Sequence, residues 1–90
     1  MPETMDEKLE RLTQEGIVTA RSLYQNSLTL IRNATERIAG EPDVSRRGQL
    51  AACARLGFLN AYGVSLDHPD LTKQDEPLET YLAFLKVALG

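Results

Sequence analysis

The feature that most constrains this sequence is an apolar stripe that keeps helical phase from Met5 to Ile38. At about 100° per residue, its side chains fall within roughly a third of a helical circle. The stripe consists of Met5, Leu9, Leu12, Ala20, Leu23, Tyr24, Leu30, Ile31, Ala34 and Ile38. This pattern predicts one amphipathic helix of about 34 residues, which is close to 50 Å long at about 1.5 Å per residue.

Signals for both helix ends bound this first helix at about residues 4–39. A capping box marks its start, and a basic residue, a glycine and a proline in succession mark its end. Gly16 is the weak point, because glycine inside a helix costs about 1 kcal/mol relative to alanine. A break there would begin a shorter helix near residue 14. We expect an unbroken helix, since the stripe keeps its phase through Gly16. The terminal signals are Thr4 and Glu7, then Arg37, Gly40 and Pro42.

The central part of the chain predicts a second helix at about residues 44–62. Asp43 or Ser45 caps its start, and Gly63 is the expected stop. Much of this helix is apolar nearly all round, so it needs neighbours on more than one side.

A third helix is expected at about residues 77–89, opened by Pro77 at its first position. Its apolar residues form one stripe: Leu78, Tyr81, Leu82, Leu85, Ala88 and Leu89. The connection 63–76 is long for a compact helical domain. The sequence therefore predicts an all-α fold with three helices in one domain, residues 1–90.

Composition excludes several classes of function. The net charge is −3, and the hydrophobic and charged fractions of 42% and 26% are ordinary for a globular protein. The charge balance argues against nucleic acid as a partner, and no apolar run is long enough to span a bilayer. The acidic N-terminus lacks the apolar core of a secretory signal. With a single cysteine as well, the expected compartment is the cytoplasm.

Neither the cysteine nor the histidine has the neighbours that catalysis or metal binding requires. Cys53 lies among alanines in the middle of a helix, which favours a buried structural thiol. His68 lies in the segment 67–70, Asp-His-Pro-Asp, which is typical of a turn. A metal site uses three or four ligands at defined spacing. We therefore predict no catalytic residue, metal site or cofactor.

Small residues within the apolar faces predict a close contact between helices. On the first helix they are Gly16, Ala20, Ser27 and Ala34, and on the second they are Cys53, Gly57 and Ala61. Packing within one chain is the favoured interpretation, and a seam between subunits is the alternative.

Two short helices can cover the long one only as a thin layer, so apolar surface is left over. We therefore expect a homodimer, or an obligate complex with a helical protein partner. The residues predicted to form the partner or dimer interface are Leu9, Leu12, Leu23, Leu56, Phe58, Leu59 and Tyr62.

This surplus of apolar helix surface predicts a non-enzymatic protein that acts by helix–helix contacts, as an adaptor, a chaperone, an immunity protein or an anti-activator. One alternative is a small dimeric helical enzyme of chorismate-mutase-like architecture, an analogy of fold alone. Its site would need basic residues that point inward, but those of the first helix fall on the polar face. They are Arg11, Arg21, Arg32 and Arg37.

The other alternative is a regulator that binds nucleic acid through the second helix. Arg46, Arg47 and Arg55 give this helix a local positive charge, with no acidic residue between positions 44 and 62.

Overall fold

The computed structural model describes residues 2–90 and contains three α-helices in that range. Helix α1 spans Met5–Ile38, α2 spans Val44–Asp67 and α3 spans Glu76–Leu89. No β-strand occurs within residues 2–90. The all-α, three-helix prediction is confirmed, and α1 runs unbroken through Gly16. None of the described helices is long and apolar enough to cross a membrane.

The predicted caps explain where the first two helices begin. The Thr4 hydroxyl accepts a hydrogen bond from the Glu7 amide at 3.2 Å. The Asp43 carboxylate accepts one from the Arg46 amide at 3.3 Å. Each cap satisfies one of the amide groups that the first turn of a helix leaves without an intrahelical partner.

The predicted end of the second helix is wrong by five residues. Gly63 does not stop α2, which continues to Asp67 and closes with a 2.7 Å hydrogen bond from the His68 amide to the Val64 carbonyl. Val64 and Ser65 are buried in this extra turn. The apolar burial of Val64 outweighs the cost of about 1 kcal/mol for glycine inside a helix. The connection to α3 is therefore residues 68–75, shorter than predicted.

The core lies where the C-terminal part of α1 meets α2 and α3. Leu28 and Ile31 of α1 and Phe84 of α3 are its largest fully buried apolar side chains. Helices α1 and α2 come closest at Gly57, where a Cβ atom would lie 2.7 Å from the Ser27 carbonyl oxygen. The close contact predicted from the small residues is therefore made within one chain.

The N-terminal part of α1 extends beyond the other two helices. Burial along α1 begins only at Ala20, apart from the half-buried Ile17. We call residues 5–19 the arm. The arm makes the molecule elongated, with extents of 60 × 24 × 14 Å and a radius of gyration of 17.0 Å. A compact domain of this length would have a radius of gyration of about 12 Å.

Candidate interaction surface

Large apolar side chains are exposed on all three helices, and apart from Val18, Val44 and Val87 they fall in three groups. The first group is on the arm, where the predicted stripe continues without cover. Met5 is 70% exposed and Leu9 is 56% exposed, and Leu12 is exposed as well. Together with Gly16, these residues repeat at intervals of four, three and four, which places them on one side of the helix. Leu23, which was also predicted as an interface residue, is exposed near the base of the arm.

The polar side of the arm is held by ion pairs. Arg11 pairs with Glu3 at 3.1 Å and with Glu15 at 3.0 Å. The hydrogen bonds that Arg11 donates to Glu3 and then to Glu15 raise the pKa of Arg11, whose guanidinium is charged in any case. These exposed pairs support the helical arm only weakly.

The second group is on α2, on the side turned away from the core. It consists of Ala52, Leu56, Leu59, Gly63 and Leu66, which we call the α2 outer face. At about 100° per residue, this face lies about 180° from the buried Ala54 and Ala61. Leu56 and Leu59 are 55% and 57% exposed. Neither α1 nor α3 covers the side of α2 that the sequence marked as needing a neighbour.

A row of aromatic rings connects α2 with α3. Phe58 stacks on Tyr62 with ring centroids 5.7 Å apart and on Tyr81 with centroids 4.9 Å apart. Tyr81 in turn stacks on the buried Phe84, at 6.1 Å. Phe58 is only half-buried and Tyr62 is exposed. These two predicted interface residues therefore lie where the seam between α2 and α3 reaches the surface.

The third group is on α3, where the predicted stripe left out Phe84. In the structure Phe84 is buried in the core, whereas Leu78, Leu82 and Leu89 of the predicted stripe are exposed. With the half-buried Leu85 they form what we call the α3 stripe. The signal was present in the spacing, because residues 78, 82, 85 and 89 again follow intervals of four, three and four.

The basic residues of α2 have separate roles. The Arg47 guanidinium donates hydrogen bonds to the carbonyls of Ile38 and Glu41, each at 3.0 Å, and to that of Ala88 at 2.8 Å. Arg46 lies 4.0 Å from Glu41, and Arg55 is exposed beside the α2 outer face. Arg47 thus joins the ends of α1 and α3, and the three arginines do not form one basic patch.

The polar-face prediction for the arginines of α1 agrees with their exposure. Arg11, Arg21, Arg32 and Arg37 are all exposed. Arg32 pairs with Glu76 of α3 at 3.1 Å. These side chains are held at the surface, and within residues 2–90 they do not converge on an enclosed pocket.

The expected burial of Cys53 is wrong, because this thiol is exposed. The expectation assumed that α2 has neighbours on all sides, whereas α1 and α3 cover only one side. Cys53 lies between the core side of α2 and its outer face.

The segment around His68 is a turn, as its sequence indicated. The His68 carbonyl accepts hydrogen bonds from the Leu71 amide at 3.0 Å and from the Thr72 hydroxyl at 3.2 Å. Across residues 2–90, no group of three or more histidine, cysteine or carboxylate side chains is arranged to hold a metal ion.

Comparison with models of protein families, with curated proteins and with solved structures found no match to this chain.

Proposed function

We propose that this chain is a non-enzymatic interaction protein that acts through helix–helix contacts, as adaptors, chaperones, immunity proteins and anti-activators do. The observation that carries the proposal is one continuous apolar surface across α2 and α3. It runs from Leu59 to its helical neighbour Tyr62, and then through the stacked rings of Phe58 and Tyr81. Leu78 and Leu85 lie one turn on either side of Tyr81 and continue the surface into the α3 stripe.

The amount of accessible surface supports a protein that works in contact with another polypeptide. The chain exposes 6501 Å². A compact monomer of 10.0 kDa exposes about 5,200 Å², so the excess is about 1,300 Å². This excess counts polar and apolar atoms together and reflects the elongated shape, in which the apolar side chains of the arm stay uncovered.

The α3 stripe is suited to a helical segment of a protein partner. Four leucines at intervals of four, three and four present anchors of the kind that amphipathic helices use when they bind side by side. A partner helix with its own apolar stripe would bury Leu78, Leu82 and Leu89 together. The same proposal includes self-association of the chain as a homodimer.

We propose the cytoplasm as the compartment in which this takes place. Cys53 is an exposed free thiol. A reducing compartment keeps such a thiol from forming disulfides with other molecules.

Photo-crosslinking in the native cell tests the proposal. A photoreactive amino acid is placed at Leu82 on the α3 stripe and, in a control variant, at Asn33, an exposed polar position on the side of α1 that is turned away from the core. We expect a discrete adduct of defined mass from position 82 and at least tenfold less from position 33. The protein in the adduct is then purified and titrated against the chain and against Leu82→Glu, which should weaken binding at least tenfold.

The proposal is wrong if neither position yields a discrete adduct and the purified chain is also monomeric by light scattering at every concentration tested. It is also wrong if the purified protein binds Leu82→Glu as well as it binds the unchanged chain.

A further inference from the structure

We infer that the α2 outer face is covered by the arm of a second copy of this chain, and that the two copies exchange their arms reciprocally. This inference rests on the proposed function and names the partner for one of its surfaces. The α3 stripe stays outside the exchange and is left for a different protein.

The direction of the arm provides the first argument. At about 100° per residue, Leu9 lies within about 20° of the buried Ala20 and Ile38 around the axis of α1. The apolar side of the arm therefore faces the same way as the side that covers α2. Because α2 ends first, this side of the arm faces the space directly beyond Asp67. A helix that continued the line of α2 would fill that space.

If a second copy is related to the first by a two-fold axis near the end of α2, its α2 is such a helix. If the α2 helices of two copies lie end to end at Asp67, each arm extends over the α2 of the other copy. The α1 helices then lie on opposite sides of the paired α2 helices. Each α2 is sandwiched between the α1 of its own chain and the arm of the other, which covers the α2 outer face.

The lengths of the two surfaces agree with this arrangement. The arm is about 22 Å long, and the α2 outer face from Ala52 to Leu66 is about 21 Å long, at about 1.5 Å per residue. Asp67 is ten residues beyond Gly57, which packs between Ser27 and Ile31 at the level of about residue 29, so α2 ends level with about residue 19 of α1. An arm that starts there reaches back along α2 to about Ala52.

The outward side of α2 changes in composition near Ala52, where the reach of the arm ends. Outward positions that the arm reaches are alanine, leucine and glycine, whereas the three outward positions before them are Ser45, Gly48 and Gln49. Because the arm runs parallel to the α2 that it covers, Leu9 and Leu12 of one copy lie against Leu56 and Leu59 of the other. Both stripes have the same intervals, as two parallel helices in a coiled-coil-like contact do.

The charges of the two surfaces are complementary. The arm contains four acidic and two basic residues, which gives a net charge of −2. They are Asp6, Glu7, Glu10 and Glu15, with Lys8 and Arg11. Within the part of α2 that the arm reaches, Arg55 is the only charged residue before Asp67, so this part of the helix is weakly basic. Opposite charges on two surfaces steer their association and disfavour other pairings, such as arm against arm.

Both surfaces of the proposed contact carry large exposed apolar side chains. Met5, Leu9 and Leu12 of the arm are 70%, 56% and 47% exposed. Leu56, Leu59 and Leu66 of the α2 outer face are 55%, 57% and 61% exposed. Because the exchange is reciprocal, the dimer makes this contact twice, and the apolar surface that it removes from water stabilises the association.

Disulfide trapping between different copies tests the exchange. In a Cys53→Ser background, Leu9→Cys protein is mixed with Leu56→Cys or Leu59→Cys protein and oxidised. Within one chain Leu9 is about 18 residues from the level of Leu59, or about 27 Å along α1, and it is farther still from the level of Leu56. A disulfide between position 9 and either of these positions therefore joins two copies. Leu9, Leu56 and Leu59 are all exposed, so the substitutions leave the core intact. The control is Gln49→Cys, an exposed position on the same side of α2 beyond the reach of the arm.

We expect position 56 or 59 to give at least tenfold more disulfide-linked heterodimer with Leu9→Cys than position 49 does. Leu9→Cys alone should give no linked dimer, because the two arms lie on opposite sides of the assembly. Linked Leu9→Cys homodimers would instead show that the arms pair with each other and would overturn the inference.

The mass in solution separates failure of this inference from failure of the proposed function. Light scattering should give about twice 10.0 kDa for the unmodified chain. A dimer without the Leu9 disulfides overturns arm exchange and leaves the proposed function in place. A monomer at all concentrations also overturns arm exchange, and crosslinking at Leu82 then decides whether the proposed function holds.

Discussion

A Cβ atom on Gly57 would lie 2.7 Å from the carbonyl oxygen of Ser27, on the facing helix. It would also lie 2.9 Å from Cγ1 of Ile31. The first of these neighbours is backbone within a helix, so it cannot move aside as a flexible side chain would. Gly57 therefore sets the distance between α1 and α2, on which the rest of the core depends.

Gly57→Ala should lower the free energy of unfolding by about 1–3 kcal/mol, because the added methyl group overpacks this crossing. The higher helix propensity of alanine offsets only part of this loss. Chemical denaturation at one fixed protein concentration measures the change. Gly48→Ala is the matched control, since no atom lies within 4 Å of the Cβ position there. It should raise the stability by about 0.4–1 kcal/mol. Equal stability of the two variants would contradict this account of the crossing.

Leu28 and Leu23 lie five residues apart on α1 and differ completely in burial. Leu28 is 0% exposed, whereas Leu23 is 43% exposed. Leu28→Ala should cost about 2–5 kcal/mol, since it leaves a cavity among core side chains. Leu23→Ala should cost less than about 1 kcal/mol when it is measured in the monomer at low concentration. A similar loss in both variants would show that the core is not centred on Leu28.

This pair also shows what the sequence could predict. The stripe predicted the length of α1 and its continuity through Gly16. It included Leu23 and omitted Leu28, because periodicity shows that a helix has an apolar side but does not show where its neighbours lie. Helices α2 and α3 contact α1 from two directions, and this rotates the buried side toward Leu28.

The candidate surface was predictable in part for the same reason. Leu56 and Leu59 stood out because α2 is apolar nearly all round, and they are exposed as expected. The exposure of the Cys53 thiol and of the α3 stripe was missed, because both depend on which side of a helix is left uncovered. Packing between helices determines which side is left uncovered, and this cannot be inferred from the sequence of one helix alone.

Tyr24 connects the core of α1 to the loop before α3. It is 2% exposed, and its hydroxyl donates to the Lys73 carbonyl at 3.1 Å and accepts from the Lys73 amide at 3.3 Å. Tyr24→Phe should lower the free energy of unfolding by about 1 kcal/mol at pH 7, because both groups of Lys73 lose this partner. Hydrogen exchange should also show faster exchange of the Lys73 amide. An unchanged exchange rate would mean that the loop is held by other contacts.

Ionisation of Tyr24 should also make the free energy of unfolding depend on pH. Burial raises the pKa of this phenol above its ordinary value of 10.0, although the hydrogen bond with the Lys73 backbone lowers it somewhat. Above that ordinary value, the unfolded chain loses the proton before the folded chain does, so the Tyr24 contribution to stability falls as the pH rises. Below it, this contribution is constant. The stability difference between the unchanged chain and Tyr24→Phe should therefore shrink above about pH 10. A difference that stays constant to pH 11.5 would contradict the raised pKa.

Arg47 stabilises the opposite end of the molecule, where the C-termini of α1 and α3 meet the start of α2. Its guanidinium donates to carbonyls from the end of each of those two helices. These carbonyls have no intrahelical amide partner, and a positive charge is favourable near a helix C-terminus. Arg47→Met keeps much of the apolar side chain and removes all three hydrogen bonds. We expect it to lower the free energy of unfolding by about 2–3 kcal/mol.

Two matched variants separate the hydrogen bonds from the charge. Arg46→Met removes an exposed arginine next in sequence, 4.0 Å from Glu41, and should cost less than about 0.5 kcal/mol. Arg47→Lys keeps the charge, but its single ammonium group cannot reach carbonyls in two directions with a planar fork, so it should recover less than half of the loss. Denaturation of all three variants at one protein concentration gives the comparison. Full recovery by lysine would show that Arg47 acts through its charge alone, and that the three hydrogen bonds contribute little to joining the helix ends.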